Sequence, residues 1–338
     1  MEQDNKWVKL VVGVLLVSMA FSSWIYGESG KRAIPIKDLR ENIFGSFCIG
    51  PMDWIIVGDR GKIFRSRNGG KEWQEIDSGT KNSLYSVSFP NQNEGWIAGK
   101  SGIILHTNDS GYTWSSQKSG VKYPLFSIVF IDSQYGWVVG DYGTILRTQD
   151  GGATWENVSY NEDVVFYGVA FADNQNGWIV GERGQILRTR DGGRSWEPVQ
   201  SPVESSLFAI ALEGNSLFAA GLDGVILYSF DQGETWRQAK NLSDKALYGI
   251  AIQRNSGWAV GNAGTVLFSE DGGITWQPMP VSEQNRLYWL GTVSYRYFAE
   301  PQGFVGFGGG ANGLMFTING KTLSWNRNDE QKGGVTCP

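Results

Sequence analysis

Short apolar runs separated by turn residues recur from residue 43 to residue 328 of the chain. The runs are rich in Val, Ile, Phe, Tyr and Trp, and Gly, Asn and Asp stand between them, which is typical of short β-strands joined by hairpin turns. An aromatic-rich run opens each repeat, starting at Ile43, Leu84, Leu125, Phe166, Leu207, Leu247 and Leu287. These starts lie 41, 41, 41, 41, 40 and 40 residues apart, so the chain consists of seven repeats of nearly constant length.

Each repeat contains four predicted strands. The aromatic-rich run is followed by a Gly-Trp-x-x-Gly segment, a Gly-x-Ile-Leu-x-Thr segment and, after an Asp-Gly-Gly turn, a short segment led by Trp. Four short strands in a period of about 40 residues are typical of one blade of a β-propeller. The sequence therefore predicts an all-β fold, a seven-bladed β-propeller of four-stranded blades over residues 43–328.

The first strand of each repeat predicts how the blades pack. Alternation places Tyr85, Val87 and Phe89 on one face of the strand and Ser86 and Ser88 on the other. The second position of this strand is aromatic in all seven repeats, at Phe44, Tyr85, Phe126, Tyr167, Phe208, Tyr248 and Tyr288. The third position is small in six repeats, and Trp289 breaks the rule in the seventh. We expect the large face of one blade to pack against the small face of its neighbour.

The turn before the last strand also recurs in seven copies, for example in RTQDGGATWENV from Arg147 to Val158. We expect Asp150 to accept backbone N–H groups across the turn, the glycines to adopt positive φ, and Trp155 to plug the blade. This pattern resembles the Asp-box of sialidases, xyloglucan-hydrolysing propellers and sortilin-type receptors, where the turn lies away from the chemistry. The predicted structural Asp-box residues are Asp109, Asp150, Asp191, Asp231, Asp271, Trp114, Trp155, Trp196, Trp236 and Trp276.

The two ends of the chain lie outside the repeats. Residues 1–27 carry Lys6 and Lys9 before an apolar run, which predicts a signal peptide or an N-terminal membrane anchor and an exported protein. Residues 28–42 are a linker or a closing strand, and Ala33–Lys37 could add an outer strand to blade 7. Residues 329–338 form a C-terminal tail, and the tryptophan of blade 7, Trp325, indicates closure of the ring by simple contact between its first and last blades.

Composition limits the chemistry that the chain can perform. The net charge of −5 is nearly balanced and gives no indication of a nucleic-acid partner. The chain has one His and two Cys, so a zinc site is not supported, and we predict neither a metal nor a cofactor. Cys48 stands where other repeats have Phe, which favours a buried thiol over a disulfide with Cys337.

No catalytic residues are predicted. His106, the only possible histidine base, stands in a third-strand position that is Arg65, Arg147 or Arg188 in other repeats. The glycine-rich segment 308–313 matches a dinucleotide fingerprint but lies in the turn before a strand, not before a helix. Carboxylates recur at the turns between the second and third strands, at Asp59, Asp141, Glu182 and Asp223, where hairpins favour Asp. A secreted sialidase-like or glucan-active glycoside hydrolase, with carboxylates and arginines converging at the axis, is the alternative.

Arginines are the most distinctive polar signal. Repeat 4 carries four of them and repeat 3 has one in an equivalent position, giving the candidate partner-binding residues Arg147, Arg183, Arg188, Arg190 and Arg194. Such a group could dock the carboxylates of a partner or anionic lipid, or it could simply be solvated and paired with nearby acids. The enlarged segment of repeat 7, with Tyr295, Tyr297 and Phe298, is either a second contact surface or a peculiarity of ring closure.

The repeats resemble those of the photosystem II stability and assembly factor family and its relatives in non-photosynthetic bacteria. The resemblance covers residues 43–328 and is clearest in GWVVGDYGTILRTQDGGATW, Gly136–Trp155, and GWIVGERGQILRTRDGGRSW, Gly177–Trp196. It implies a non-catalytic propeller in the periplasm or thylakoid lumen that binds a membrane-protein subunit, the reaction-centre D1 protein or a counterpart. It also implies an arginine docking patch, which Arg183, Arg188, Arg190 and Arg194 would match. We expect the protein to be a monomer. This chain departs from many photosynthetic members because its leader has no lipoprotein cysteine or transit peptide.

Overall fold

A computed structural model describes residues 33–160, 162–299 and 303–326, together with the backbone of residues 335 and 336. The predicted leader, residues 1–27, lies outside the described residues. The fold is the predicted all-β propeller, with seven antiparallel sheets in which four consecutive strands form one blade. None of the described residues belongs to a helix long and apolar enough to cross a membrane.

The strands of each blade follow one another from the axis outward, and we number them 1 to 4. Blades 1 to 4 consist of Ile43–Cys48, Trp54–Gly58, Ile63–Ser66 and Glu72–Ile76; Leu84–Ser88, Gly95–Gly99, Ile104–Thr107 and Ser115–Gln117; Leu125–Phe130, Gly136–Gly140, Ile145–Thr148 and Glu156–Asn157; and Phe166–Phe171, Gly177–Gly181, Ile186–Thr189 and Glu197–Val199. Blades 5 to 7 consist of Leu207–Glu213, Ser216–Gly221, Ile226–Ser229 and Arg237–Gln238; Leu247–Gln253, Ser256–Gly261, Val266–Ser269 and Gln277–Pro278; and Leu290–Phe298, Gly303–Gly310, Met315–Asn319 and Thr322–Trp325. Short 3-10 turns cover Ile36–Asp38, Asp59–Gly61, Lys100–Gly102, Glu182–Gly184, Leu222–Gly224, Asn262–Gly264, Asn285–Leu287 and Ala311–Gly313.

The ring has two faces with different turns. Strand 1 begins beside the turn between strands 2 and 3, as where Asp141 N–H donates to the Pro124 carbonyl, 3.0 Å. We call this side the entry face. The Asp-box turns, between strands 3 and 4, lie at the other end beside the turns between strands 1 and 2, as where Gly151 N–H donates to the Gln134 carbonyl, 3.0 Å. We call that side the Asp-box face.

The hydrophobic core lies between neighbouring blades, as the large and small faces of strand 1 predict. Val87 and Phe89 of blade 2 pack against Ile55 and Val57 of blade 1. On the small side, a Cβ atom added to Gly45 would lie 2.8 Å from the Tyr85 carbonyl oxygen, so the approach of the next blade requires glycine there.

The second position of strand 1 does not follow the predicted alternation. A register shift after Leu84 leaves Tyr85 outside the ladder and turns its ring towards the axis, where it lines the central cavity. The same bulge occurs in the other six blades. The expectation that Tyr85 shares a face with Val87 and Phe89 is therefore wrong, because a β-bulge redirects one side chain.

Blade 7 starts three residues later than predicted. Leu290 pairs with Gly310 as Leu125 pairs with Gly140, whereas Leu287 is 79% exposed in the preceding turn. The second position of blade 7 is therefore Gly291 and not Tyr288. The ring of Trp289 lies over this glycine, since a Cβ there would meet the indole at 2.8 Å, and it stacks on Phe44 with ring centroids 5.6 Å apart.

The enlarged segment of blade 7 lengthens the hairpin of its first two strands, which have nine and eight residues. Tyr295 is buried and stacks on Phe304 with centroids 5.4 Å apart. Tyr297 packs edge-on against Phe304, and the Arg254 guanidinium lies 3.5 Å from its ring centroid. These aromatic side chains therefore stabilise the hairpin rather than forming an open contact surface.

Contacts between blades 1 and 7 close the ring, together with the segment before blade 1. Leu39 is 1% exposed and packs in one cluster with Trp73, Phe307 and Met315. Asn326 donates from Nδ2 to the Ile36 carbonyl, 3.2 Å, and to the Gly313 carbonyl, 2.8 Å. Residues 36–39 thus fill the seam between the two blades.

Both end segments add a short outer strand. Ile34–Pro35 pairs with strand 4 of blade 1, so the expectation that Ala33–Lys37 extends blade 7 is wrong. Blade 7 gains its fifth strand from Val335–Thr336, within the predicted tail. Each of these outer strands pairs within its own blade, so side-chain packing and hydrogen bonds, not a strand shared by the first and last blades, close the seam among the described residues.

Candidate functional site

The Asp-box turns are held by a repeated hydrogen-bond pattern around one carboxylate. In blade 3, Thr154 donates to Asp150 from its backbone N–H, 2.9 Å, and from its hydroxyl, 2.6 Å, and the Thr148 hydroxyl donates at 2.8 Å. Gly151 and Gly152 have φ values of 69° and 81°, which strain any residue other than glycine. Asp109, Asp191, Asp231 and Asp271 accept equivalent bonds.

These hydrogen bonds favour the ionised form of the aspartates. Bonds from the Thr235 hydroxyl and N–H hold the pKa of Asp231 at about 2. At Asp191, partial burial opposes this effect, but bonds from Ser195 and Thr189 outweigh it and bring the pKa to about 2. The pKa values of Asp109, Asp150 and Asp271 are lowered for the same reason. The five carboxylates are therefore anchors of the turns.

The tryptophans that follow these turns differ in depth. Trp236 and Trp276 are buried, whereas Trp114, Trp155 and Trp196 are partly buried. Those three each pack edge-on against the last aromatic ring of strand 1 in their own blade, with centroids 5.8 to 6.0 Å apart. Each indole therefore fastens the outer strand to the inner part of the blade.

Two of the candidate arginines are buried between blades. Arg147 is 7% exposed, and it bonds Glu156 from Nε, 2.7 Å, and the Gly192 carbonyl of the next blade from Nη1, 3.3 Å. Arg188, also 7% exposed, forms an ion pair of 2.5 Å with Glu234 in the Asp-box turn of blade 5. Both arginines connect strand 3 of their own blade to the next Asp-box turn.

The other three candidates are exposed but lie at two ends of the blade. Arg183 is in the turn between strands 2 and 3, on the entry face, at a φ of 55°. Arg190 and Arg194 belong to the Asp-box turn beyond the far end of strand 3. Arg190 pairs with Glu234, 2.9 Å, and with Glu197, 3.4 Å. The structure therefore brings Arg188, Arg190 and Arg194 towards the Asp-box face and separates Arg183 from them.

Sequence reasoning missed Glu234 as the common partner of Arg188 and Arg190. These two arginines lower the pKa of Glu234, first through their hydrogen bonds and then through their charge. Glu234 follows the glycine of the blade 5 Asp-box turn and lies beside Arg188 and Arg190 of blade 4. A comparison of neighbouring repeats in register could have found this pair.

Arg65 of blade 1 shows the same inter-blade arrangement. Its guanidinium holds Asp53 through Nε, 2.8 Å, and Nη2, 2.5 Å, and donates from Nη1 to the Ser110 carbonyl of blade 2. His106 occupies the equivalent position of blade 2, where its ring stacks on Trp96 with centroids 4.7 Å apart. Burial lowers the pKa of His106, although Glu94 opposes the effect. The position thus connects neighbouring blades where it is arginine and packs within blade 2 where it is His106.

The axial cavity has a volume of about 250 Å³ and is lined by strand 1 of all seven blades. Its described lining consists of aromatic, aliphatic, glycine, serine and threonine residues, and none of these is charged. Across the described part of the chain, no three His, Cys, Asp or Glu side chains cluster closely enough to hold a metal ion. Gly308–Gly310 ends strand 2 of blade 7, and the turn Ala311–Gly313 leads into strand 3, as in the other blades.

Cys48 is a free and fully buried thiol, and Cys337 lies outside the described residues. Burial raises the pKa of Cys48 to about 12, which outweighs the opposite effects of Ser294 and Arg296. A thiol that is neutral and inaccessible at neutral pH does not act as a nucleophile.

The fold and the repeated turns define a class, the seven-bladed propeller of Asp-box repeats. Within that class, the sequence matches the family described as Photosynthesis system II assembly factor YCF48 over residues 45–126 and 154–249, which is just over half of the chain. The chain belongs to this family. A comparison with curated protein sequences finds no significant match.

Solved structures with the same fold include two YCF48 proteins. "YCF48 bound to D1 peptide" has 24% identity and a TM-score of 0.65, with 85% of this chain and 93% of that chain covered. YCF48 from Cyanidioschyzon merolae has 19% identity and a TM-score of 0.66, covering 85% and 98%. The GH74 xyloglucanase from Xanthomonas campestris shares the fold at 13% identity and a TM-score of 0.67, but the match covers only 53% of that enzyme.

Proposed function

We propose that the protein is an exported, non-catalytic scaffold that binds a membrane-protein subunit and aids assembly of a membrane complex. Membership of the YCF48 family carries this proposal. A solved structure with the same fold holds a D1 peptide, which supports photosystem II, or a non-photosynthetic counterpart, as the complex. The uncharged lining of the axial cavity gives less support to a glycosidase that uses axial carboxylates.

The proposed docking surface is the exposed part of the blade 4 arginine group. Arg190 and Arg194 are exposed on the Asp-box turn, where a partner's carboxylates could bind their guanidinium groups and would displace Glu197 and Glu234 at Arg190. Arg147 and Arg188 are buried, and we assign them the role of holding adjacent Asp-box turns in place. Arg183 lies on the opposite face and would contribute only to a second contact.

The test is affinity capture of the tagged full-length protein from gently solubilised native membranes, with quantitative mass spectrometry of retained proteins. We expect recovery of D1 or another assembling membrane subunit. The variant Arg190→Ala with Arg194→Ala should reduce capture by about tenfold, since two charge-assisted contacts are removed. Arg286→Ala, which removes an exposed arginine before blade 7, is the matched control.

Two results would contradict the proposal. Equal capture by the double arginine variant and by wild type would contradict the proposed docking surface but not the scaffold role. Recovery of no membrane subunit, together with release of sugars from xyloglucan or sialosides by the purified protein, would favour the hydrolase alternative.

A further inference from the structure

A set of seven aromatic side chains lies around the axis at the entry face. We call it the aromatic collar, and it consists of Phe44, Tyr85, Phe126, Tyr167, Phe208, Tyr248 and Trp289. Consecutive rings from Phe44 to Tyr248 have centroids 5.1 to 5.7 Å apart, and Trp289 stacks on Phe44 at 5.6 Å. All seven side chains are only partly buried, so they remain accessible from solvent. The proposed arginine docking on the other face does not use them.

Six collar residues, all but Trp289, line the central cavity and limit what can enter it. The cavity of about 250 Å³ is smaller than ordinary drug-sized ligand pockets, which begin at about 300 Å³, and it suits one extended side chain. Below the collar, the third positions of strand 1 are small, such as Gly45, Gly168 and Gly249. Ser86 and Ser127 each accept a backbone N–H bond from the next blade, from Ile128 at 3.2 Å and from Val169 at 3.3 Å. The described walls are therefore uncharged and hydrogen-bonded between blades.

Carboxylates lie at the edge of the collar over blades 3 to 5. Asp141 and Glu182 begin the turns between strands 2 and 3 of blades 3 and 4, and with burial their charges raise the pKa of Tyr167. By their place in the loops before strand 1 and in the turns between strands 2 and 3, the acids on this arc are Asp141, Glu162, Asp163, Glu182, Glu204 and Asp223, and the bases are Lys118, Lys122 and Arg183. Asp244 is neutralised by Lys245 at 2.9 Å. Acids therefore outnumber bases on this side of the collar, which favours a cation there.

We propose that the aromatic collar binds a cationic side chain, that of an arginine presented by a partner protein. Aromatic faces attract a cation through their quadrupole, and neighbouring carboxylates add to the attraction. The guanidinium is planar and weakly hydrated, so it stacks on aromatic rings more readily than an ammonium group does. The site lies on the opposite face from Arg190 and Arg194 and takes the opposite charge.

A peptide pair tests the proposal on the intact protein. Ac-Gly-Gly-Arg-Gly-Gly-NH2 is titrated against protein containing 3-fluorotyrosine, and fluorine NMR follows the signals of Tyr85, Tyr167 and Tyr248, assigned with Tyr→Phe variants. The same peptide with citrulline is the neutral isostere. We expect the arginine peptide to shift the three collar signals and to bind about 3- to 30-fold more tightly than the citrulline peptide.

Variants separate the aromatic and electrostatic contributions. Phe126→Leu keeps apolar volume but removes one ring, and it should weaken binding of the arginine peptide. Tyr123→Leu is the matched control, because Tyr123 is exposed on the same face and stacks on Tyr142 outside the collar. The double variant Asp141→Asn with Glu182→Gln should weaken binding of the arginine peptide and leave binding of the citrulline peptide unchanged. This variant keeps the test decisive if Phe126→Leu does not fold.

Two outcomes overturn the inference. Equal affinity for the arginine and citrulline peptides would show that the mouth is an apolar slot without charge recognition. Absence of shifts at Tyr85, Tyr167 and Tyr248 at saturating peptide would show that the collar has only a structural role. Neither result would bear on capture of a membrane subunit through Arg190 and Arg194.

Discussion

At the residue scale, blade 1 exchanges the sizes of two paired side chains: the small residue stands at the end of strand 1 and the large residue at the start of strand 2. Blades 2, 3 and 4 have Phe at the end of strand 1 or directly after it and begin strand 2 with Gly, and a Cβ added to Gly95 would lie 2.4 Å from Phe89. In blade 1 the paired positions are Cys48 and Trp54. The large side chain has moved to strand 2, where it stacks on Phe307 of blade 7 with centroids 4.6 Å apart. Trp54 fills the volume that a Phe side chain fills in blades 2, 3 and 4. A small residue, Cys48, therefore stands at the end of strand 1.

A double-mutant cycle tests this exchange of volume. Cys48→Phe should overpack the core and lower the free energy of unfolding by about 1–3 kcal/mol. Trp54→Gly should lower it by about 3–5 kcal/mol through lost burial. In the double variant we expect the loss to be smaller than the sum by at least about 1 kcal/mol, measured by urea unfolding. Strict additivity would mean that the two positions do not share space.

At the element scale, the sequence predicted the blades and their turns but not two local features. Regular spacing and repeated Asp-Gly-Gly turns determined the strand order, because each unit repeats the same local chemistry. The bulge after Leu84 escaped prediction because alternation assumes an unbroken ladder, and it was this bulge that directed Tyr85 into the collar. The start of blade 7 was misplaced because Leu287-Tyr288 imitates the opening of the other repeats.

The candidate site was predictable in part for a similar reason. Position in the repeat showed that Arg147 and Arg188 occupy equivalent slots, but it could not show that both are buried against the next blade. Their partners come from the following repeat, so the contacts depend on how blades are placed around the ring. The separation of Arg183 from Arg190 and Arg194 follows from the direction of strand 3, which carries the chain from one face to the other.

The Asp-box turn gives the protein a specific dependence on acid. The folded-state pKa of Asp231, about 2, lies below the value of about 4 for an unfolded aspartate. Its contribution to stability is therefore complete above about pH 4 and is lost as the pH falls towards 2. Asp231→Asn should lower the free energy of unfolding by about 1 kcal/mol at pH 7, and the difference from wild type should shrink between pH 4 and pH 2.

Urea unfolding at pH 7, 4, 3 and 2 measures this difference. Asp163→Asn removes the same charge from an exposed position outside the Asp-box turns and serves as the control. A gap between wild type and Asp231→Asn that stays constant down to pH 2 would contradict the assigned role of the ionised carboxylate.

At the scale of the whole molecule, the seam between blades 1 and 7 is the place where the ring depends on the chain ends. Residues 36–39 fill it, and Leu39 is its most buried apolar contact outside the blades. Leu39→Ala should lower the free energy of unfolding by about 2–5 kcal/mol, since it leaves a cavity that the two blades cannot easily close. Leu242→Ala, at a leucine that is 81% exposed, should change it by less than about 0.5 kcal/mol.

Chemical unfolding followed by tryptophan fluorescence measures both variants. Equal stability of Leu39→Ala and Leu242→Ala would mean that the segment before blade 1 does not stabilise the ring.

Localisation is a prediction about the whole molecule. We expect the protein in the exported fraction, and N-terminal sequencing of that material would show whether residues 1–27 are retained.

The seam also fixes an order of events during biosynthesis. The Asn326 side chain donates a hydrogen bond to the Ile36 carbonyl, and these two residues are 290 positions apart in the chain. Blade 1 is synthesised first, yet the flank that will face blade 7 stays uncovered until translation is nearly finished. A ribosome that stalls before residue 290 therefore releases an open arc with two apolar edges, a substrate for chaperones and proteases and not a smaller propeller.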